Sequence, residues 1–332
     1  MKIGLLFAGQ GAQYPEMGKS LYENSDVAKK VFDTAGEQIK EWCFESTKEM
    51  LRLTHVTQPS VYVVTMAAYQ ALKEAIDECD KSFWDEVEII GAAGFSLGEY
   101  SALTAVGIID SMEKGLEIVK QRGKLMYEAG LDADGNQLGG MSAAFGRREE
   151  ILRCVSEARE DGILEGVNFN SKVQTVVAGS KDALLRFKEI ATSNKIKVIP
   201  LSVSTAFHSS MMKPAIEPLK QILLNSELKK PSLKVYSNVT GEDLFEGKDI
   251  LDAEVTRHVA EAMAKQASSP VYWQETMENM AKDGAEIFIE IGPGTTLSGL
   301  AKKTVSDITT LNVEDYESLQ KTVRELINKR KV

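Results

Sequence analysis

A serine flanked by small residues, in the segment GFSLG, is the clearest sign of chemistry in this sequence of 332 residues. Gly94, Ser96 and Gly98 fit the pattern G-x-S-x-G, in which glycines let a strand turn sharply into a helix and expose the serine hydroxyl. The apolar run VEIIGAAG precedes the serine, and LGEYSALTAVG follows it as a helix would. The pattern predicts Ser96 as a nucleophile, with the N–H of the next residue, Leu97, directed at an oxyanion. The alternative is a turn serine that only caps the helix.

A nucleophilic serine needs a base, and histidine is the usual one. The sequence contains His55, His208 and His258. His55 precedes a predicted helix, which suits capping or packing, and His258 lies on a charged amphipathic helix, where we expect it to be solvated. His208, in STAFHSSMMKP, follows a predicted strand, and the sites of α/β proteins assemble in such loops. We therefore predict His208 as the base. No acidic residue stands out as a third member, so a dyad oriented by a backbone carbonyl or amide is the simpler interpretation.

A second glycine-rich loop, GQGAQ, follows the first predicted strand. Such loops direct backbone N–H groups at anions, so this one suits a phosphate or an oxyanion. Its glycine spacing matches neither the dinucleotide-binding pattern G-x-G-x-x-G nor the phosphate-binding pattern G-x-x-x-x-G-K-[ST]. A plain turn is the alternative.

Arg122, in VKQRGKLM, belongs to a helical stretch rich in apolar residues. An arginine that faces inward needs an anionic partner, and a substrate carboxylate suits because a guanidinium binds it through two parallel hydrogen bonds. Composition alone favours the alternative, a surface arginine beside Lys120 and Lys124.

The order of predicted elements places these residues in two structural units. Strands alternate with helices on both sides of the middle section, with a first strand at Lys2–Ala8, a helix over Gln58–Glu78 and a later strand in LKVYSNVTG. This alternation predicts a mostly parallel, doubly wound sheet. The middle section, entered through the linker DADGNQLGG, has the order β-α-β-β-α-β within about 65 residues, which is the ferredoxin-like pattern. We predict a core of residues 1–131 and 204–332, with residues 132–203 as an inserted subdomain.

Charge and cysteine content exclude several classes of protein. Asp and Glu number 49 against 39 Lys and Arg, a net charge of −10, so we expect neither a nucleic acid nor an anionic membrane as partner. No run of about 18 apolar residues predicts a membrane-spanning helix, and the N-terminal segment lacks the pattern of a signal peptide. Cys43, Cys79 and Cys154 form no C-x-x-C motif, which favours a reducing compartment. We expect a cytoplasmic protein without a metal.

A series of segments along the chain resembles malonyl-CoA:acyl carrier protein transacylases, the family that includes the stand-alone enzymes of fatty acid synthesis and the acyltransferase domains of polyketide synthases. The segments are FAGQGAQ, TQPS, GFSLGEYSAL, KQRGKLM, VNFNSKVQTVVAG, AFHSSMMKPA, SSPVYW and EIGPG. The resemblance runs nearly end to end. It implies an α/β-hydrolase-like, mostly parallel sheet core with an inserted ferredoxin-like subdomain, which agrees with the order of elements above.

The resemblance also implies a role for each matching residue. Ser96 would be the nucleophile, His208 the base, and Arg122 the side chain that holds the malonyl carboxylate. The backbone N–H groups of Gln10 and Leu97 would form the oxyanion hole.

The same resemblance implies roles for two aromatic residues and the absence of a family histidine at a third aromatic position. Tyr272, in SSPVYW, would orient His208 through its backbone carbonyl, at a position where relatives often have glutamine or asparagine. Phe207 would crowd a branched acyl group and so favour malonyl over methylmalonyl. Phe95 stands where relatives often have histidine, which removes a polar group from the edge of the pocket.

The implied activity is a ping-pong transfer of malonyl from a coenzyme A thioester to the phosphopantetheine thiol of acyl carrier protein, without a cofactor and by a monomer. An acidic carrier can dock on this acidic chain only at a local basic patch, and Lys172 and Lys213 lie near relevant loops. A serine hydrolase that removes acyl groups from carrier proteins is the alternative enzyme, against which Arg122 argues. A non-catalytic carrier-binding module is the third alternative, and we would expect it to lack Ser96 or His208.

Overall fold

A five-stranded parallel sheet forms the centre of the fold. The computed structural model describes residues 1–247 and 250–330. In chain order the strands are β1 (Lys2–Phe7), β2 (Glu88–Gly94), β3 (Gly139–Phe145), β4 (Leu164–Ser171), β5 (Gln174–Ser180), β6 (Lys197–Pro200), β7 (Val235–Tyr236), β8 (Ile287–Ile291) and β9 (Thr309–Val313). The parallel sheet has the order β7-β2-β1-β8-β9, and each neighbouring pair in it runs parallel.

Helices pack on both faces of this sheet, as the alternation of elements predicts. In chain order, and including α8 and α9 of the second sheet described below, the helices are α1 (Lys19–Asn24), α2 (Asp26–Ala35), α3 (Glu37–Phe44), α4 (Thr54–Cys79), α5 (Phe83–Glu86), α6 (Gly98–Ala105), α7 (Met112–Glu128), α8 (Arg148–Arg159), α9 (Lys181–Ser193), α10 (Lys213–Leu224), α11 (Asp252–Gln266), α12 (Trp273–Lys282), α13 (Thr296–Thr304) and α14 (Tyr316–Arg330). Along β1, Ile3, Leu5 and Phe7 belong to one buried apolar cluster and Leu6 to another. The strand is continuously apolar because a parallel sheet is buried on both faces. Within the described ranges, no helix combines the length and apolar character needed to cross a membrane.

The second sheet is antiparallel and comes from the middle of the chain, in the order β4-β5-β3-β6. With α8 and α9 it has the β-α-β-β-α-β succession that the sequence predicts. Its strands lie between residues 139 and 200, inside the predicted insert, and the strands of the parallel sheet lie outside it. The predicted α/β fold with a separate small sheet is confirmed, and the subdomain boundaries at residues 132 and 203 remain predictions.

Backbone hydrogen bonds fasten the antiparallel sheet to the segment that precedes α12. The N–H of Phe169 donates to the carbonyl of Val271 at 2.9 Å, and the N–H of Val271 donates to the carbonyl of Val167 at 2.8 Å. The Arg148 guanidinium adds an ion pair with Glu275 at 2.5 Å. The small sheet is therefore tied directly to the chain between α11 and α12.

Three elements differ from the sequence prediction. Helix α4 begins at Thr54 rather than at Gln58, so the polar segment TQPS is helical. Only Val235–Tyr236 of the predicted strand LKVYSNVTG is a strand, because the N–H of Ser237 turns back to the carbonyl of Glu242 at 2.8 Å. Strand β9 was not predicted; it is an edge strand of mixed polarity, which periodicity alone does not distinguish from a loop.

Close backbone contacts explain the glycines around the serine. A Cβ atom on Gly94 would lie 1.9 Å from the carbonyl carbon of Gly98, and a Cβ atom on Gly98 would lie 2.1 Å from the carbonyl oxygen of Phe7. Helix α6 therefore approaches the two central strands more closely than any side chain at these positions allows.

We expect Gly98→Ala to lower the free energy of unfolding by about 1–3 kcal/mol, because the backbone must move to admit the new methyl group. The measurement is denaturant unfolding of the two proteins side by side. Gly299→Ala is the matched control: Gly299 lies inside α13, and a Cβ there meets nothing within 4 Å. The control should be stabilised by about 0.5–1 kcal/mol through helix propensity. Equal effects of the two substitutions would contradict the close-contact explanation.

Candidate active site

Ser96 lies at the turn between β2 and α6. Its φ of 52° is left-handed, as a sharp strand-to-helix turn requires. Asn238 holds this turn from both sides: its Oδ1 accepts from the N–H of Ser96 at 2.7 Å, and its Nδ2 donates to the carbonyl of Gly94 at 2.7 Å. Sequence reasoning missed Asn238, because nothing in the pattern links it to a serine 142 residues earlier.

His208 meets the serine hydroxyl. Its Nε2 lies 2.7 Å from Oγ of Ser96, and its Nδ1 lies 3.0 Å from the carbonyl oxygen of Gln266 and 3.2 Å from that of Ser269. Because carbonyl oxygens only accept hydrogen bonds, Nδ1 carries the proton and Nε2 is left to accept from the serine O–H. The structure thus brings the two predicted residues together in the orientation that proton transfer needs.

Burial controls the charge of this histidine. The pKa of His208 is lowered to about 4, first by burial and then by the positive charge of Arg122, while the backbone carbonyls at Nδ1 act in the opposite direction. The imidazole is therefore neutral at pH 7, which is the form that can accept a proton.

The predicted role of Tyr272 in orienting His208 is wrong. The carbonyl of Tyr272 accepts from the N–H of Thr276 at 3.0 Å, within the first turn of α12. The carbonyls that reach the histidine belong to Gln266 and Ser269, at and just beyond the C-terminal end of α11. A helix leaves its last carbonyl groups without intrahelical partners, so they are free to accept from a side chain. The segment around SSPVYW was the correct region, but the pattern did not show where α11 ends.

Arg122 on α7 faces the interior and is fully buried, so the surface alternative is wrong. Its Nη1 donates to Oε1 of Gln58 at 2.8 Å. Its Nη2 donates to Oε1 of Gln266 at 3.0 Å and to Oγ of Ser96 at 3.3 Å. The guanidinium also lies over the ring of Tyr100, 5.1 Å from its centroid. The positive charge is thus held next to the serine oxygen by neutral hydrogen-bond partners.

Two glutamines connect the predicted residues, and sequence reasoning assigned a role to neither. Gln266 donates through Nε2 to the carbonyl of Ser96 at 2.8 Å, while its Oε1 accepts from Arg122. Gln58 donates through Nε2 to Oε1 of Gln10 at 3.3 Å. The TQPS segment was a visible signal for Gln58, whereas Gln266 lies in an ordinary amphipathic helix and had no signal of its own.

The glycine-rich loop lies against the serine turn. A Cβ atom on Gly9 would lie 2.1 Å from the carbonyl oxygen of Phe95, so only glycine permits this approach. In the part of the chain that the structure describes, the backbone N–H groups of Gln10 and Leu97 donate to no acceptor. Two uncommitted N–H donors next to a serine turn suit a developing oxyanion.

A cavity of about 480 Å³ opens beside the serine and the histidine. It is lined by Gln10, Gly11, Gln13, Tyr14, Pro15, Lys48, Leu51, Arg52, Gln58, Phe95, Ser96, Met126, Met141, Asn168, Leu201, Ser202, Val203, Phe207 and His208. Phe207 therefore borders the space next to the serine, as the resemblance implied. Phe95 packs edge-on against Trp273, with ring centroids 5.2 Å apart. The charged lining residues are Lys48 and Arg52, and Lys172 and Lys213 are not among the lining.

The other two histidines lie apart from the serine. His258 is half-buried rather than solvated as predicted, with its Nε2 2.8 Å from the carbonyl oxygen of Leu244. His55 lies in the first turn of α4, packed against the ring of Tyr127. Among the described residues, no group of three or more His, Cys, Asp or Glu side chains is arranged to hold a metal ion.

Comparison with known proteins relates the whole chain to one family. The family model described as "Acyl transferase domain" matches residues 5–330. The malonyl CoA-acyl carrier protein transacylase of Bacillus subtilis (strain 168) is 35% identical, over 98% of this chain and 97% of that protein. The protein of the same name from Haemophilus influenzae is 33% identical, over 96% of each chain.

Solved structures share the fold. The crystal structure of a malonyl CoA-acyl carrier protein transacylase from Clostridium perfringens is 37% identical, with a TM-score of 0.86 over 99% of this chain and 98% of that chain. Another, described as a type II PKS acyl-carrier protein in complex with its malonyl-transacylase, is 30% identical, with a TM-score of 0.85 over 98% of this chain and 100% of that chain. The chain therefore belongs to the acyl transferase domain family, among the malonyl CoA-acyl carrier protein transacylases.

Proposed function

We propose that this protein transfers a malonyl group from malonyl-CoA to the phosphopantetheine thiol of acyl carrier protein, through a malonyl ester on Ser96. One observation carries the proposal: Oγ of Ser96 lies 2.7 Å from Nε2 of His208 and 3.3 Å from Nη2 of Arg122. A malonyl group bears its carboxylate one methylene beyond the reacting carbonyl. A guanidinium next to the nucleophilic oxygen is therefore placed where that carboxylate would lie.

In the first half-reaction, Oγ of Ser96 attacks the thioester carbonyl while Nε2 of His208 takes its proton. The negative charge that develops on the carbonyl oxygen is stabilised by the N–H groups of Gln10 and Leu97, and losing one such donor costs about 2.7–4 kcal/mol in a comparable site. The C–S bond then breaks, and the coenzyme A sulfur leaves with the proton from His208. The product is malonyl-Ser96.

In the second half-reaction, the thiol of the carrier's phosphopantetheine gives its proton to His208 and attacks the malonyl ester. The same two N–H groups receive the oxyanion. The C–O bond to Ser96 breaks, and the serine oxygen recovers the proton. A neutral imidazole is needed at the start of each half-reaction, which fits the lowered pKa of His208. Side chains and backbone groups of this chain supply the whole cycle, so we propose no cofactor.

Selection of the acyl group is assigned to Arg122 and Phe207. The buried guanidinium favours a carboxylated acyl group, because an ion pair in a water-excluded site is much stronger than one in water. Phe207 borders the cavity beside Ser96 and restricts the space for a branch at the carbon between the two carbonyl groups of malonyl. A carboxylate anchored to Arg122 also fixes the ester for attack by the incoming thiol.

Two other functions fit less well. A serine hydrolase would use the same serine, histidine and N–H donors, but a buried arginine hydrogen-bonded to the nucleophile has no purpose in it unless the acyl group is charged. A non-catalytic carrier-binding module has no need of the 2.7 Å contact between His208 and Ser96.

The proposed partners are coenzyme A thioesters and acyl carrier protein, whose shared chemical feature is a phosphorylated pantetheine arm. Of the two lysines expected near the docking site, Lys172 lies 4.0 Å from Glu278 and neither lines the cavity. Lys48 and Arg52 line it, are exposed and form no ion pair with a carboxylate in the described ranges. We assign the attraction of the phosphate groups to these two cations.

A monomer in a reducing, cytoplasmic compartment is the expected setting, with Cys43, Cys79 and Cys154 as free thiols.

The intact mass of the protein after brief mixing with malonyl-CoA tests the proposed intermediate. We expect a malonyl adduct that is absent in Ser96→Ala and that moves to added holo acyl carrier protein. Release of coenzyme A without an adduct and without transfer would favour the hydrolase and would remove the assigned role of Arg122.

The variant Arg122→Ala tests the carboxylate anchor. We expect kcat/KM for malonyl-CoA to fall on the order of 10- to 100-fold, the loss of a hydrogen-bonded charge pair. The value for acetyl-CoA, which lacks the carboxylate, should fall much less. Melting temperatures of both proteins show whether the cavity left by the arginine disturbs the fold. An equal loss for the two substrates in a folded variant would contradict the anchor.

The double variant Lys48→Glu, Arg52→Glu tests the basic cavity mouth. We expect KM for malonyl-CoA and for the carrier to rise and their salt dependence to weaken, with kcat little changed. The malonyl thioester of N-acetylcysteamine, which has no phosphate, should be used equally by the variant and the parent. The matched control is Lys188→Glu, Lys321→Glu, which makes the same charge change at exposed positions on α9 and α14. Equal rises in KM in both double variants would indicate a general effect of net charge.

A further inference from the structure

Glu99 is a fully buried carboxylate that the mechanism above does not use. It lies in the first turn of α6, three residues after Ser96, and has 0% of its surface exposed. A carboxylate is almost never fully buried unless a charge or hydrogen bonds compensate it. Its surroundings therefore indicate what it is for.

Two of the residues that bind Glu99 also hold the serine turn. Gln266 donates through Nε2 to Oε2 of Glu99 at 2.9 Å and to the carbonyl of Ser96 at 2.8 Å. The N–H of Asn238 lies 3.4 Å from each carboxylate oxygen of Glu99, and the side chain of Asn238 holds the N–H of Ser96. Glu99 thus lies directly behind the groups that fix the nucleophile.

The Glu99 carboxylate and the Ser96 carbonyl together fix the orientation of the Gln266 amide. An ionised carboxylate only accepts hydrogen bonds, so it requires the NH₂ of Gln266 on its side. The amide oxygen of Gln266 then faces Nη2 of Arg122, at 3.0 Å. The opposite orientation would place two sets of donors against each other. Glu99 and Arg122 are therefore connected through the side-chain amide of Gln266, whose NH₂ faces the negative carboxylate and whose oxygen faces the positive guanidinium.

Few charged or titratable groups act on this pair. Among the described residues, the charged group that acts on Glu99 is Arg122, on α7. Gln266, Asn238 and Ser237, which hydrogen-bond to Glu99, are neutral. Within the described ranges, Arg122 interacts first with the Tyr100 hydroxyl and then with Glu99. The hydroxyl stays neutral because burial raises the pKa of Tyr100 to about 12. His208, the other titratable group near Arg122, is neutral at pH 7. In the absence of substrate, Glu99 is thus the source of negative charge for the buried guanidinium.

We infer that Glu99 is the resident counter-charge of Arg122 and a positioning residue for acyl selection. When a malonyl carboxylate binds Arg122, this carboxylate becomes the counter-charge, and Glu99 takes up one proton from solvent. The inference rests on the proposed malonyl transfer. Two carboxylates around one buried guanidinium repel each other, and protonation of the one that makes no direct contact with it relieves the repulsion.

The proton affinity of Glu99 is suited to this exchange. Burial raises its pKa to about 7, while the hydrogen bonds from Gln266 and Asn238 and the charge of Arg122 act in the opposite direction. In the protein without substrate, Glu99 therefore gains or loses its proton near neutral pH. Below this range Glu99 is already neutral and a malonyl group binds without proton uptake; above it, malonyl must bind against an ionised carboxylate or with uptake of a proton. An acetyl group carries no charge and is indifferent to the state of Glu99.

The ratio of kcat/KM for malonyl-CoA to kcat/KM for acetyl-CoA isolates this effect. His208 and the phosphates of coenzyme A titrate identically for both substrates and cancel in the ratio. We expect the ratio to fall as the pH rises through about 7, by up to about tenfold per pH unit, the limit for one proton. In Glu99→Gln, which keeps an acceptor for Gln266 but has no charge, the ratio should be independent of pH. If the role of Glu99 were merely structural, Glu99→Gln would change kcat/KM for both substrates alike, and the ratio would still fall with rising pH.

Glu290→Gln is the matched control. Glu290 is another buried carboxylate, with 1% of its surface exposed, and its oxygens accept from the N–H groups of Leu297 and Ser298 in α13 rather than from the partners of Arg122. This variant should keep the pH-dependent fall of the ratio. Loss of the fall in both variants would show a general effect of removing a buried charge and would overturn the inference.

Calorimetry keeps the inference testable if Glu99→Gln fails to fold. Malonyl-CoA is titrated into Ser96→Ala at pH 8 in two buffers of different ionisation enthalpy, with acetyl-CoA as the reference. We expect uptake of up to one proton with malonyl-CoA beyond that with acetyl-CoA. Equal proton uptake for the two ligands would overturn the role of Glu99. So would a pH-independent ratio of kcat/KM for malonyl-CoA to kcat/KM for acetyl-CoA in the unsubstituted protein. Either result is compatible with formation of malonyl-Ser96 in that protein and so leaves the proposed function intact. Absence of any malonyl adduct would instead refute the proposed function itself.

Discussion

A buried guanidinium beside the hydroxyl of Ser96 is the constraint on which the rest of this site depends. A charge with no exposed surface must be compensated by hydrogen bonds or by an opposite charge. Arg122 reaches its partners on three different parts of the chain: Gln58 on α4, Gln266 on α11 and Ser96 at the turn before α6. These partners have second contacts of their own, so the compensation of one charge also fixes the elements that carry out the chemistry.

The serine and the histidine show the same dependence through their backbones. Ser96 has φ of 52° and His208 has φ of 62°, a region that costs a residue other than glycine about 1–3 kcal/mol. Each conformation is held by contacts from elsewhere: Asn238 binds the turn at Ser96, and the carbonyls of Gln266 and Ser269 bind the imidazole. The strained backbone at Ser96 and at His208 is thus held by the C-terminal end of α11 and by the segment after β7, neither of which belongs to the sequence motifs around these two residues.

This dependence explains how much of the site the sequence could predict. The motif around Ser96 and the position of His208 after a strand are local patterns, and the structure brings the two together at 2.7 Å. The fold was predictable for the same reason, since alternating strands and helices are local signals. Gln266 and Tyr272 are six positions apart, and which carbonyl reaches the histidine depends on where α11 ends and α12 begins. That boundary is set by packing against β4, through the hydrogen bonds of Val271, and no periodicity encodes it.

The separation of Glu99 from Arg122 by an amide is itself informative. A direct buried ion pair would hold the guanidinium firmly, and removing one partner of such a pair costs about 3–5 kcal/mol. A substrate carboxylate would have to displace it. An amide between the two charges transmits their attraction but leaves Nε of Arg122 without a hydrogen-bond partner among the described residues and its Nη2 facing Ser96. The arginine is therefore compensated well enough to stay buried, while its Nη2 donates to the serine oxygen to which the acyl group would be attached. A transferase must also release what it binds. In the proposed mechanism, a counter-charge that can change its protonation state would let the same guanidinium hold the acyl group and then give it up to the carrier.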